Sequence, residues 1–142
     1  MTYAIRIYSI GKNKESWLVE ALQEYEKRLS GSIHISWIIA KNDEDLETRL
    51  QEEKVLIGLD PKGRTDTSED FSKFLFKEMD SCGGKIALVI GGSDGLTPWM
   101  KQKAKWLISF SKLTFTHQIT RLILLEQIYR ALQIHKNTPY HK

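Results

Sequence analysis

Two short segments in the second half of the chain carry residue types suited to holding a small molecule. The first, Leu88-Val89-Ile90-Gly91-Gly92-Ser93-Asp94-Gly95-Leu96, runs a solid apolar stretch straight into a glycine-rich loop. Glycines at a strand's carboxyl end let backbone N–H and C=O groups approach a ligand that a Cβ would hold off. Open α/β sheets bind ligands at that end of their strands. The second, Ser109-Phe110-Ser111-Lys112-Leu113-Thr114-Phe115-Thr116-His117-Gln118, alternates hydroxyl and apolar residues, and Lys112 is the one charge up to Phe115. Backbone groups flanked by Leu113 and Phe115 suit a flat, neutral heterocycle such as adenine. On local sequence alone, a tight turn and a plain connection across the sheet edge explain the two segments equally well.

Other chemistries find little support. The glycine loop lacks the spacing of a dinucleotide fingerprint, and no Gly-Lys-Ser/Thr follows to hold phosphates and magnesium. Asp94 is a ligand candidate, although Asp beside Gly is also ordinary turn chemistry. The histidines, His34, His117, His135 and His141, have no metal-ligand spacing, and with a single cysteine a zinc site is not expected. His117 and His141 are candidate proton acceptors. No Gly-x-Ser-x-Gly elbow occurs, so hydrolase chemistry is unsupported. Glu126, Arg130 and Gln133 share one helix face, with Arg121 one turn earlier on a neighbouring line. Pairing of Glu126 with Arg130 is the ordinary reading, and an arginine on a substrate phosphate the sharper one.

These residues must be positioned by alternating strands and helices. Periodicity and turn residues predict strands over 4–10, 33–39, 55–59, 85–90 and 106–110. Helices are predicted over 15–29, 43–51, 68–79, from the Thr97-Pro98 start to about 105, and over 119–136. Asp60-Pro61-Lys62-Gly63 reads as a turn that stops the third strand. The last helix has an apolar face wide enough to suggest a second covering surface, such as another subunit. The class is α/β with a mostly parallel sheet flanked by helices.

A length of 142 residues suits one domain, 1–142, and the 41% apolar and 27% charged composition fits a soluble globular protein. No apolar run is long enough to span a bilayer, residues 1–15 lack a signal peptide's apolar core, and a lone Cys82 cannot form an internal disulfide. A cytoplasmic location, away from any membrane, is the expectation. A net charge of +3 permits an anionic partner without demanding one.

Taken in order, the segment 88–96, the segment 109–117, the helix over 121–134 with its Glu-Gln-Ile-Tyr-Arg-Ala run, and the terminal Tyr140-His141-Lys142 resemble the RlmH family of ribosomal RNA methyltransferases in the SPOUT superfamily. Ser9-Ile10-Gly11-Lys12 and Tyr25-Glu26-Lys27-Arg28 extend the likeness over essentially the whole chain. The resemblance implies a C-terminal deep trefoil knot, a homodimer packed through it, and S-adenosylmethionine bound by the knot loops. By position, Leu59, Gly91, Gly92, Phe110, Ser111, Lys112, Leu113, Thr114 and Phe115 would contact this cofactor. The implied substrate is a pseudouridine in a hairpin loop of 23S rRNA, methylated at N3 on the assembled ribosome, with no metal. His117, Tyr140 and His141 become candidate catalytic residues, and Arg121, Arg130 and Lys142 candidate RNA contacts. Thr116 stands where relatives usually carry proline, a difference expected to loosen that loop. The rival expectation is a catalytically silent RNA- or ribosome-binding module with the same fold.

Overall fold

The computed structural model describes residues 2–142. Its five strands are β1 (Tyr3–Ile10), β2 (Ile33–Ala40), β3 (Leu56–Thr65), β4 (Lys85–Ile90) and β5 (Trp106–Ser109). They form one sheet in the order β2-β1-β4-β3-β5, and every pairing is parallel. Between them run α1 (Ser16–Leu29), α2 (Asp43–Leu50), α3 (Ser68–Ser81) and α4 (Pro98–Lys103), with α5 (His117–His135) closing the chain.

The unbroken apolar run in β4 follows from its central place. Ile86, Leu88 and Ile90 join one core with residues of α1, α3 and α5, whereas Ala87 and Val89 join a second core with residues of α2 and α4. A strand covered on both faces has no polar side to show. Much of the wide apolar face of α5 is covered within the chain: Leu124, Leu125 and Ile128 are fully buried in the first core. Each such side chain contributes about 1.5–3 kcal/mol of transfer free energy.

Two boundaries depart from expectation. The Asp60-Pro61-Lys62-Gly63 turn does not end β3. Leu59 and Arg64 both face Ile108 of β5, so residues between them bulge out and pairing resumes as far as Thr65. The Asp60 carboxylate accepts the Lys62 N–H at 3.0 Å inside the bulge. Gly63 is where the bulge crosses the neighbouring strand, since a Cβ there would lie 2.7 Å from the Ile108 backbone nitrogen. The second departure is the start of α5 at His117, two residues earlier than the periodicity implies. Thr116 caps it, accepting the Ile119 N–H at 3.2 Å. A threonine oxygen satisfies an orphan helix donor that proline could not, so Thr116 secures this loop instead of loosening it.

Candidate active site

Strand register brings three carboxyl ends together. Leu59 of β3 is paired with Ile90 of β4 on one side and with Ile108 of β5 on the other. The chain leaves β4 into the glycine loop and leaves β5 into the Phe110–Phe115 segment, so both emerge side by side. A cavity of about 320 Å³ opens between them, within the range of about 300–1,000 Å³ usual for small-ligand sites.

The two segments singled out in the sequence form its walls. Leu59, Gly91 and Gly92 line one side, and Phe110, Ser111, Leu113, Thr114 and Phe115 line the other. Gly91 is required where it stands. A Cβ there would lie 2.4 Å from the Gly95 carbonyl carbon and 2.6 Å from the Leu96 nitrogen, because the loop folds back onto its own backbone. The second segment is shaped by its hydroxyls: Ser109 donates to the Ser111 carbonyl at 2.7 Å, and Ser111 Oγ accepts the Leu113 N–H at 3.0 Å. That winding leaves Leu113 70% and Phe115 37% exposed, an apolar lip at the mouth. Lys112 is the exception among the expected contacts; it is exposed and does not line the cavity.

His117 lines the cavity from the first turn of α5. Burial, reinforced by the positive charges of Arg121 and Lys14, holds its pKa below the ordinary histidine value. The imidazole is therefore neutral near pH 7 and able to accept a proton.

Arg121 is not on the surface. It is fully buried, and its guanidinium donates to Ser9 Oγ, to Asn13 Oδ1 at 2.6 Å, and to the Ile10 and Gly11 carbonyls at 2.7 Å each. The expectation that it touches RNA is corrected by this burial, because its donors are spent on the β1–α1 connection. Arg130 follows the ordinary reading, holding Glu126 with Nη2 to Oε1 at 2.6 Å.

The C-terminal tail lies elsewhere. Tyr140 packs edge-on against Tyr129 at 4.9 Å between ring centroids, under the Arg130 guanidinium. Arg130 Nη1 is 2.9 Å from His141 Nδ1, and the other ring nitrogen of His141 meets Glu69. Lys142 is exposed. Thr120 of α5 lines the cavity and Arg130 anchors the tail, a separation of about 15 Å along the helix.

Sequence reasoning missed Asp60, Lys101 and Thr120 in the lining. Asp60 is nearly buried and lies 3.5 Å from the Lys101 ammonium. The signal for it was present in the turn sequence directly after the third strand. Among the described residues, no group of three or more His, Cys, Asp or Glu is placed to hold a metal ion. Among the described residues, likewise, no helix is long and apolar enough to cross a membrane.

Residues 3–141 match the family described as "Predicted SPOUT methyltransferase". The chain belongs to the SPOUT methyltransferase family. It is 51% identical over 138 residues to the ribosomal RNA large subunit methyltransferase H of Protochlamydia amoebophila, covering 97% of this chain and 98% of the relative. The protein of the same description from Caldicellulosiruptor bescii is 39% identical, with 97% of this chain and 99% of the relative covered. These full-length relatives place this SPOUT methyltransferase with the large-subunit ribosomal RNA methyltransferases H. Its fold is shared with a probable methyltransferase from Bordetella pertussis (TM-score 0.59, 10% identity, 92% of this chain and 96% of that one). It is shared too with the SpoU methyltransferase AviRb of Streptomyces viridochromogenes, solved in complex with AdoMet (TM-score 0.51, 12% identity, 96% of this chain). The SPOUT methyltransferase described here spans 62% of the AviRb chain.

Proposed function

We propose that this SPOUT methyltransferase transfers a methyl group from S-adenosylmethionine to N3 of a pseudouridine in large-subunit rRNA, working as a homodimer on the assembled ribosome. The observation that carries the reading is the cavity between the ends of β3, β4 and β5, with an apolar lip, backbone-rich walls and a neutral histidine at its edge.

The residues suit this methyl donor. Leu113 and Phe115 offer apolar surface to an adenine ring, and the Phe110–Thr114 backbone offers donors and acceptors to its edge. Gly91 and Gly92 keep the opposite wall free of side chains, and Asp60 and Lys101, paired at 3.5 Å, add one polar, charge-balanced patch to the lining. The bound donor supplies an electrophilic sulfonium methyl, which leaves sulfur by in-line displacement and needs no metal.

His117 has the acid–base role. Pseudouridine N3 carries a proton, and the neutral imidazole accepts it, leaving the electron pair on N3 for the new N–CH3 bond. Tyr140 and His141 pack on the Glu126–Arg130 stretch of α5, outside the lining of their own cavity, and act at the cavity of the partner subunit, with Arg130 and Glu126 orienting the tail and Lys142 at its exposed end contacting RNA. The modest net charge of +3 and the short chain support recognition of the assembled ribosome, where the target is held in a preformed shape.

The test is mass mapping of methylated pseudouridine in large-subunit rRNA from cells with and without the protein. Loss of one N3-methylpseudouridine on deletion is expected, and unchanged modification removes the assignment. Calorimetry with S-adenosylmethionine separates the rival: a folded protein that does not bind it is a silent binding module. Faster methyl incorporation into assembled subunits than into isolated rRNA is expected, and equal rates would sink the ribosome requirement.

A further inference from the structure

We infer that the β1–α1 loop, through Lys12, Lys14 and Trp17, is an RNA-contact element held rigidly beside the mouth of the cavity. The inference rests on the rRNA reading above and adds a recognition surface to it.

The first observation is how firmly this loop is anchored. Arg121 reaches across from α5 to the Ile10 and Gly11 carbonyls and the Asn13 side chain, and Gln118 Nε2 donates to the Lys12 carbonyl at 3.1 Å. Those acceptors are all neutral. A guanidinium taken out of water without a carboxylate partner is costly, and the Gln118 side-chain oxygen is buried without a partner as well. A surface loop with no task has no need of such an anchor.

The second observation is what the anchored loop displays. Lys12 and Lys14 are exposed, and among the described residues neither forms a salt bridge. Glu15 is the one acid between Gly11 and Trp17. Trp17, in the first turn of α1, leaves half of its surface open to solvent. Two unpaired cations next to an open indole are the parts with which proteins hold unpaired nucleotides, phosphates on the cations and a base on the ring.

The third observation is location. Gln118 directly follows His117, which lines the cavity, and Lys14 is near enough to His117 to depress its pKa. On the other side, the Ile10 side chain lies against Gly92 of the glycine loop, since a Cβ on that glycine would be 3.2 Å from Ile10 Cδ1. An RNA strand delivering one base to the cavity therefore passes over this loop. Single-stranded RNA in a hairpin loop is the partner that fits: its backbone supplies the anions and its unstacked bases the flat faces.

The test measures binding of the full chain to large ribosomal subunits and to the matching rRNA hairpin across a salt series, with methyl incorporation read separately. For K12A/K14A, the slope of log affinity against log salt is expected to fall by about 1.4, roughly 0.7 for each cation lost against a single strand. For W17A, affinity drops about tenfold at every salt concentration with the slope unchanged. Thermal melting confirms that both variants are folded. Wild-type slope and affinity in both folded variants overturn the inference, as does a wild-type chain that binds neither subunits nor hairpin. Should wild type bind with these sensitivities and yet transfer no methyl group, the RNA-contact element stands and the methyltransfer reading alone fails.

Discussion

The Arg121 guanidinium, on the last helix, closes on the Ser9 hydroxyl at the end of the first strand, with Nε at 3.0 Å and Nη2 at 2.8 Å. The contact joins positions 112 residues apart and pins the start of α5 to the strand end beside the cavity. Replacing Arg121 by methionine keeps the unbranched stem, which ends where Nε stands, and removes the guanidinium that binds Ser9, Asn13 and the Ile10 and Gly11 carbonyls. A loss of about 2–4 kcal/mol in unfolding free energy is expected from those unsatisfied groups. Urea denaturation reads it directly, and a change below about 0.5 kcal/mol would mean that water satisfies the loop equally well.

Gly91→Ala tests the glycine loop. The added Cβ would meet backbone atoms of Gly95 and Leu96 at 2.4–2.6 Å, and none of them belongs to a flexible side chain. The loop must shift, at a cost of about 1–3 kcal/mol. Affinity for S-adenosylmethionine should fall at least about tenfold, the equivalent of 1.4 kcal/mol misplaced at the wall. Calorimetry showing wild-type affinity would remove this loop from the cofactor site.

The depressed pKa of His117 sets a pH dependence. As a base it must be neutral, so kcat/KM should hold level above the ordinary histidine pKa of about 6.5 and decline only further into acid, because burial and the Arg121 and Lys14 charges disfavour protonation. His117→Asn is expected to lower kcat by about 10²–10⁴ and to erase that acid limb. A variant that keeps the limb assigns the base to another group.

At the far edge of the second core, Tyr8 donates to Glu53 at 2.7 Å, and Glu53 also receives Arg6 in a two-point contact. Burial first, and then the hydrogen bond to Glu53, push the Tyr8 pKa up to about 12. The folded chain holds this proton more tightly than the unfolded one. Stability is therefore fully present below the unfolded tyrosine pKa of about 10 and is lost as pH rises toward 12, by at most about 1.4 kcal/mol per pH unit. Denaturation midpoints at pH 9, 10 and 11 (about one unit either side of that unfolded value) measure the slope, and a flat response rules out the cluster as the alkaline weak point.

Much of this was readable before any fold was drawn. Thr97 caps α4 as the Thr97-Pro98 start implies, accepting the Met100 N–H, because a cap depends only on neighbouring backbone. The run Ile86–Ile90 announced a strand buried on both sides, because burial of both faces removes any alternation. The overrun of β3 was not readable: its turn residues are real, but pairing with β5 resumes beyond them, and that depends on a partner 45 or so positions away. The start of α5 was equally local, since Thr116 caps it as Thr97 caps α4, and the apolar period alone placed it two residues late.

Local chemistry in the sequence was enough to determine the strand–helix alternation, because caps and periodicity act over a few residues; the two loops were singled out as candidates by their glycines and hydroxyls, and the family came from the resemblance of several motifs taken in order along the chain. The roles of the long-range cations were decided only in three dimensions. Arg121 and Arg130 lie on the same helix, yet one is buried against neutral oxygens of the first strand and the other is paired at the surface with Glu126. Whether a guanidinium faces substrate or holds a loop depends on which distant backbone the fold brings beneath it, and no local pattern carries that information.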